Sequence, residues 1–229
     1  MLLIKIRKEL GNIFSLNELS KFLKKDKKYL SMYLNKHLKN ENIYQIRKGW
    51  YSFEKVQDKY LVSKTFKGTY ISFNSAIEFY GFSTQKYIKL ELLSLTQKKQ
   101  QIILDWDVEF TKIKKQHFFG YKKEMYKGEE ILIADKEKLL IDCLLNQKKV
   151  TLEDTKEYLS SIINELNIEK LYNYLQKINS YALNKRIGFL LQKQGINLQL
   201  KINSKYEVLD INKSKSNKKN KTWKIIEND

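Results

Sequence analysis

Within its first sixty residues the chain changes hydrophobic period, and that change narrows the possible folds more than any other sequence feature. Leu2 to Leu10 reads as a short helix that stops before Gly11. Ser15 is a good N-cap, and Glu18 three residues later completes a capping box. Leu16, Leu19, Phe22 and Leu23 then fall on one helical face. A third helix starts near Asp26, with Leu30, Leu34 and Leu38 recurring every four residues and Tyr33 beside them. After it the pattern turns to β-branched and aromatic residues, Ile43–Ile46 and Trp50–Phe53. Arg47, Lys48 and Gly49 lie between the two runs. That spacing predicts a β-hairpin with glycine at its turn. The order of elements predicts a winged helix-turn-helix over residues 1–57, and the short Lys-Lys-Asp interval between helices two and three suits its tight turn.

The expected outer face of the third helix carries Lys27, Lys28, Ser31, Met32, Asn35, Lys36 and Lys39. Lysines neutralise phosphates, while asparagine and serine bond to base edges in the major groove. Arg47 and Lys48 would form the basic tip of the wing, against a phosphate or the minor groove. These nine residues are the candidate DNA contacts.

The remaining residues, 58–229, predict an α+β domain: a small mixed or antiparallel sheet followed by a helical bundle. Residues 58–68 look helical. Ser72 or Asn74 can cap a short helix that Gly81 ends. Residues 87–133 read mostly as strands, with a hairpin turn at Lys127 and Gly128. Asp135 and Thr151 should cap helices, and two more are expected near Ile168–Ile178 and Ala182–Gln194. The basic tail before Thr222 reads as a loop, and TWKIIEN as a short edge strand carrying Trp223.

Net charge is +18, which favours nucleic acid or an acidic membrane as partner. Proline is absent, and lysine, asparagine, isoleucine and tyrosine are abundant, a bias that AT-rich codons also produce. Position therefore says more than the total. Residues 1–60 hold 14 basic and 6 acidic side chains and are the most basic stretch per residue. No apolar run is long enough to cross a membrane, and charges interrupt the N-terminal MLLIKIRKEL, so a cytoplasmic chain without membrane contact is expected. The lone cysteine, Cys143, lies in an apolar helical run and reads as inert. His37 and His117 are far apart, so neither a metal site nor a cofactor is expected. Asp105 and Asp107 alternate along an expected strand, as metal-binding carboxylates do in nucleotidyl transfer. The same alternation describes the wet side of a half-exposed strand, and a non-enzymatic protein is expected.

Several segments, in order, resemble the AbiEi antitoxin family of type IV toxin–antitoxin systems. They are FSLNELSKFL, HLKNENIYQIRKGWYSF with its basic-x-Gly-aromatic-Tyr wing, YISFNSAIEFYGF, IADKEKLLIDCLL with a Glu-Lys-x-Leu-x-Asp helix, RIGFLLQKQGI and TWKIIEN. The family usually has proline before its Glu-Lys pair, where Lys136 stands here. The resemblance implies a transcriptional autorepressor that binds inverted repeats in its own promoter. It further implies an antitoxin that counters a nucleotidyltransferase-like toxin encoded beside it, usually without a stable complex. The alternatives are a DNA-binding regulator whose second domain senses or dimerises, and a nuclease or nucleotidyltransferase built on Asp105 and Asp107.

Overall fold

The computed structural model describes residues 2–83 and 87–228. Among them are nine α-helices and three sheets, a mixed α+β fold in two units. The first unit comprises Met1–Ile71, Ile88–Lys112 and Lys122–Ile133. The second comprises Ser72–Tyr87, Ile113–Tyr121 and Ala134–Asp229. Residues 1–57 therefore lie wholly inside the first unit, together with most of the strand-rich segment that follows them.

The first unit begins with α1 (Leu2–Leu10), β1 (Ile13–Ser15), α2 (Leu16–Leu23), α3 (Lys27–Lys39), β2 (Tyr44–Arg47) and β3 (Trp50–Ser52). The capping box forms as the sequence predicts: Ser15 Oγ accepts from Glu18 N at 3.1 Å, and the Glu18 carboxylate accepts from Ser15 N at 2.9 Å. The strands make an antiparallel sheet in the order β1-β3-β2. Ile6, Phe14, Leu19, Leu30, Leu34, Ile43 and Tyr51 form the buried core of this part. Helices and sheet together resemble a winged helix loosely.

The chain continues through α4 (Lys59–Ser63), β4 (Thr69–Ile71), β5 (Lys89–Ser94), β6 (Gln101–Ile103), β7 (Trp106–Lys112), β8 (Tyr121–Tyr126) and β9 (Glu129–Ala134). These strands form one mixed six-stranded sheet, ordered β6-β7-β5-β4-β9-β8. The helix expected over 58–68 is only five residues long. Asp58 caps it, accepting from Tyr60 N at 2.9 Å, and the chain then turns through Thr65 and Phe66 into β4. Asp105 is not on a strand. It occupies the two-residue turn between β6 and β7, next to Leu104 at φ +54°, so it does not share a strand face with Asp107. Both Asp107 oxygens instead accept from Gln100 Nε2, at 2.7 and 2.8 Å.

One buried carboxylate ties the two parts of this unit together. Glu129, at the start of β9, accepts from Asn12 N at 2.7 Å and Ile13 N at 3.0 Å and forms an ion pair with Lys64. Asp58 makes a second tie: it accepts from Tyr126 Oη at 2.5 Å and Lys127 Nζ at 2.8 Å.

The second unit comprises α5 (Phe73–Phe79), α6 (Lys136–Leu145), α7 (Leu152–Ile162), α8 (Ile168–Ile178), α9 (Tyr181–Lys193) and a small sheet of β10 (Glu207–Val208), β11 (Lys219–Asn220) and β12 (Ile225–Ile226). A 3-10 turn covers Lys115–His117. Asp135, Thr151, Asn167 and Ser180 cap α6 to α9 with their side chains. Ser72 stands at the N-cap position of α5 but makes no capping bond; its hydroxyl donates to Asp142 at 3.0 Å. The terminal strand is central, not an edge: β12 lies between β10 and β11 with Ile225 and Ile226 buried. Trp223 precedes it and packs against Gly188, where an added Cβ would be 2.1 Å from the indole. Among the described residues no helix is long and apolar enough to cross a membrane.

Glu129→Ala is expected to destabilise the protein by about 3 kcal/mol, because two backbone donors and an ammonium lose a buried acceptor. Glu129→Gln, which keeps one acceptor oxygen, should cost less. Denaturant unfolding of both variants checks this, and a loss below about 1 kcal/mol for the alanine variant would contradict it. For Asp58, burial acts to raise the pKa, but Lys127, Tyr126 and the Tyr60 amide outweigh it and hold the carboxyl below its ordinary value. Its contribution is therefore present above the unfolded pKa and lost as pH falls through the lower folded one. Asp58→Asn should flatten the acid side of the stability curve, measured as melting temperature against pH, and leave a smaller change at neutral pH than wild type shows on acidification.

Candidate nucleic-acid interface

The third helix is placed by its own N-cap and by its apolar stripe. Asp26 accepts from Lys28 N at 2.7 Å and Tyr29 N at 3.3 Å, which satisfies two of the donors that a helix start leaves open. Lys24, at φ +52°, ends α2 in the left-handed conformation, and its N–H donates to Ser20 O. Three residues therefore separate α2 from α3. Leu30 and Leu34 are fully buried against Leu19 and Phe14, while Tyr33 and Leu38 pack at the edge of that cluster.

Helical geometry then dictates what faces outward. Lys28, Met32, Asn35 and Lys39 run in a line opposite Leu30. Lys27 and Ser31 flank that line on one side, and Lys36 and Tyr29 on the other. All are exposed except Ser31, which is half-buried. Met32 is 61% and Tyr29 54% exposed. No acidic residue occurs from Lys27 to Lys39. Among the described residues none of Lys27, Lys28, Lys36 and Lys39 has an acidic partner. His37 stays off this face: its ring packs edge-on against Tyr33 with centroids 4.5 Å apart, and Asn42 Nδ2 lies 3.4 Å from its Nδ1. The seven α3 candidates named from the sequence thus share one surface. Tyr29 belongs with them; its spacing of three from Met32 and seven from Lys36 is the sequence signal for that placement.

The hairpin separates its two cations. Lys48 and Gly49 form the two-residue turn between Arg47 and Trp50, with Gly49 at φ +79°. The tip is tied back: Gly49 O accepts from Leu16 N at 2.9 Å. Lys48 is exposed at this turn. Arg47 is half-buried, its guanidinium 4.5 Å from the centre of the Phe66 ring, and burial pushes its pKa down. It does not project from the hairpin as a free wing-tip cation.

His117 is half-buried, and burial, together with Lys138 and Lys114, lowers its pKa. Among the described residues no three or more His, Cys, Asp or Glu side chains come together as a metal site. Cys143 is buried.

Neither a protein-family model nor a curated protein sequence matches this chain. Among solved structures it is similar to the crystal structure of the RV2827C protein from Mycobacterium tuberculosis, with a TM-score of 0.63 at 11% identity, over 98% of this chain and 89% of that one. At that identity the likeness is one of fold.

Asp26→Ala should remove the α3 cap and destabilise the protein by about 1 kcal/mol. Thermal unfolding followed by circular dichroism checks this. A variant melting with wild type would mean that packing of Leu30 and Leu34 alone positions the helix.

Proposed function

We propose that this chain is a DNA-binding transcriptional autorepressor that uses residues 1–57 as a winged helix-turn-helix, with α3 in the major groove of its own promoter. One observation carries the reading. Apart from Met32 and Tyr29, the outward face of α3 is polar or basic; it is free of acid, and its lysines have no acidic partner among the described residues, while the opposite face is committed to the core. Lys27, Lys28, Lys36 and Lys39 then neutralise phosphates, and Ser31 and Asn35 reach base edges. Tyr29 and Met32 suit the methyl groups of thymine, which makes A·T pairs the natural partners of that part of the face. Lys48 at the hairpin turn meets a flanking phosphate.

The resemblance to AbiEi antitoxins supports a second role, neutralising a nucleotidyltransferase-like toxin encoded beside this protein in the cytoplasm. The fold likeness spanning nearly the whole chain is compatible with that role and adds no residue to it. Co-expression with the neighbouring toxin tests it, and unrelieved toxicity would leave a DNA-binding regulator alone.

The first experiment is binding of the purified chain to DNA from upstream of its own gene, against scrambled DNA, over a range of salt. Preferential binding that persists at physiological salt is expected. Equal, salt-labile binding to both would remove the sequence-reading role. Lys28→Ala should lower the salt slope by about one unit without altering base preference. Asn35→Ala should relax preference at one position, by about 1–3 kcal/mol for a bidentate contact. An unchanged preference would take Asn35 out of base readout.

A further inference from the structure

Arg47 lines an open cleft of about 540 Å³ inside the first unit. The hairpin turn, the first turn of α2, the segment through Phe66 and the loop before β6 enclose it. Four of its lining residues are cationic, Arg47, Lys48, Lys67 and Lys98, and none is acidic. Lys48 and Lys98 have no acidic partner among the described residues. Lys67 pairs with Glu18 at 3.1 Å, but that carboxylate is also claimed by the Ser15 backbone and hydroxyl.

Two of the cations are held in advance. The Arg47 guanidinium rests over Phe66 at 4.5 Å and the Lys67 ammonium over Trp50 at 5.8 Å from the ring centres. Stacking of this kind fixes a cationic head at little cost, and for Arg47 it does so with no carboxylate partner among the described residues. Asn17, in the first turn of α2, lines the same cleft at the positive end of that helix.

We propose that this cleft is a phosphate-binding site for a nucleotide. Its volume lies in the range of small-ligand sites. Trp50 and Phe66 are themselves buried, with cations over their rings, so recognition is through the phosphate and not by stacking a base. The phosphate comes either from the backbone of bound duplex, in which case the inference rests on the DNA-binding reading, or from a free nucleotide, in which case it does not.

The test uses the full chain, a Lys67→Ala/Lys98→Ala double variant, and Lys98→Ala alone in case loss of the Lys67–Glu18 pair disturbs α2. Each is titrated with upstream DNA over a salt series, and separately with adenosine monophosphate and with inorganic pyrophosphate by calorimetry. If duplex fills the cleft, the salt slope falls by about two units in the double variant and about one in Lys98→Ala, with base preference unchanged. If a free nucleotide fills it, the DNA curves superimpose. Saturable binding of adenosine monophosphate then weakens at least tenfold in the double variant. Unchanged DNA curves, with nucleotide and pyrophosphate binding absent or insensitive to both variants, overturn the proposal. In that case Lys28→Ala and Asn35→Ala still test the α3 face independently.

Discussion

Glu129 stands at the start of β9 with 3% of its surface exposed, and three donors from distant parts of the chain converge on it. Two are the backbone amides of Asn12 and Ile13, where β1 begins, and the third is Lys64 just after α4. A buried carboxylate without such partners would be prohibitive, so the six-stranded sheet and the entry to β1 are coupled. Gly11 makes room for it: at φ +83° it turns the chain out of α1, and a Cβ there would sit 3.2 Å from Glu129 Oε1. Everything downstream inherits this position. β1 ends at Ser15, which caps α2; α2 delivers the turn into α3; and β1 pairs with β3, which carries the hairpin. The orientation of the α3 face within its unit thus depends on one acid that lies 117 residues beyond Asn12, the first amide it holds.

The distance between Glu129 and its partners explains what could be read from the sequence. Caps and apolar stripes act within four residues, so α1, the Ser15–Glu18 box, the Asp26 cap, the Leu30–Leu34 stripe and the Lys48–Gly49 turn were all legible. So was the exposed face of α3, apart from Tyr29. Long-range choices were not. Nothing near Ser72 says that its hydroxyl prefers Asp142, seventy residues on, to capping α5. Nothing near Arg47 says that Phe66 will take its guanidinium. The terminal Ile225–Ile226 pair reads as an edge because it is short and last, yet β10 and β11 close on both sides of it. Asp105 and Asp107 alternate in sequence, but a two-residue turn at Leu104 breaks the strand between β6 and β7.

The Glu-Lys-x-Leu-x-Asp stretch that carries part of the family resemblance has a structural explanation in the second unit. Lys138 and Asp142 form a buried ion pair one helical turn apart, and Asp142 also accepts from Ser72. Glu137 accepts from Asn167 N at 2.9 Å and pairs with Lys170, which also reaches Asp135 at 3.0 Å. Tyr174 donates to Asp135 at 2.7 Å; burial first, and this bond with it, pushes the phenol's pKa up. Gly120 lets its backbone pass against the Lys138 stem, where a Cβ would meet it at 2.8 Å. These groups hold α6 against α5 and α8. Removing one partner from such a set strands a buried charge, which is reason enough for the pattern without any chemistry.

The same accounting separates informative cations from uninformative ones. Lys64, Lys127, Lys136, Lys138 and Lys170 all contribute to the net charge of +18, but each is paired with a carboxylate of its own unit. They describe folding, not partners. The lysines of α3 are different: they are exposed and have no acid among the described residues to relieve them. Lys36 and Lys39 are also a turn apart, and such a like-charge pair costs a helix a few tenths of a kcal/mol. A partner bearing regularly spaced negative charge removes that cost on binding and releases its own counterions. The proposal of DNA binding therefore rests on where charge is left uncompensated, and it would stand unchanged if the total were half as large.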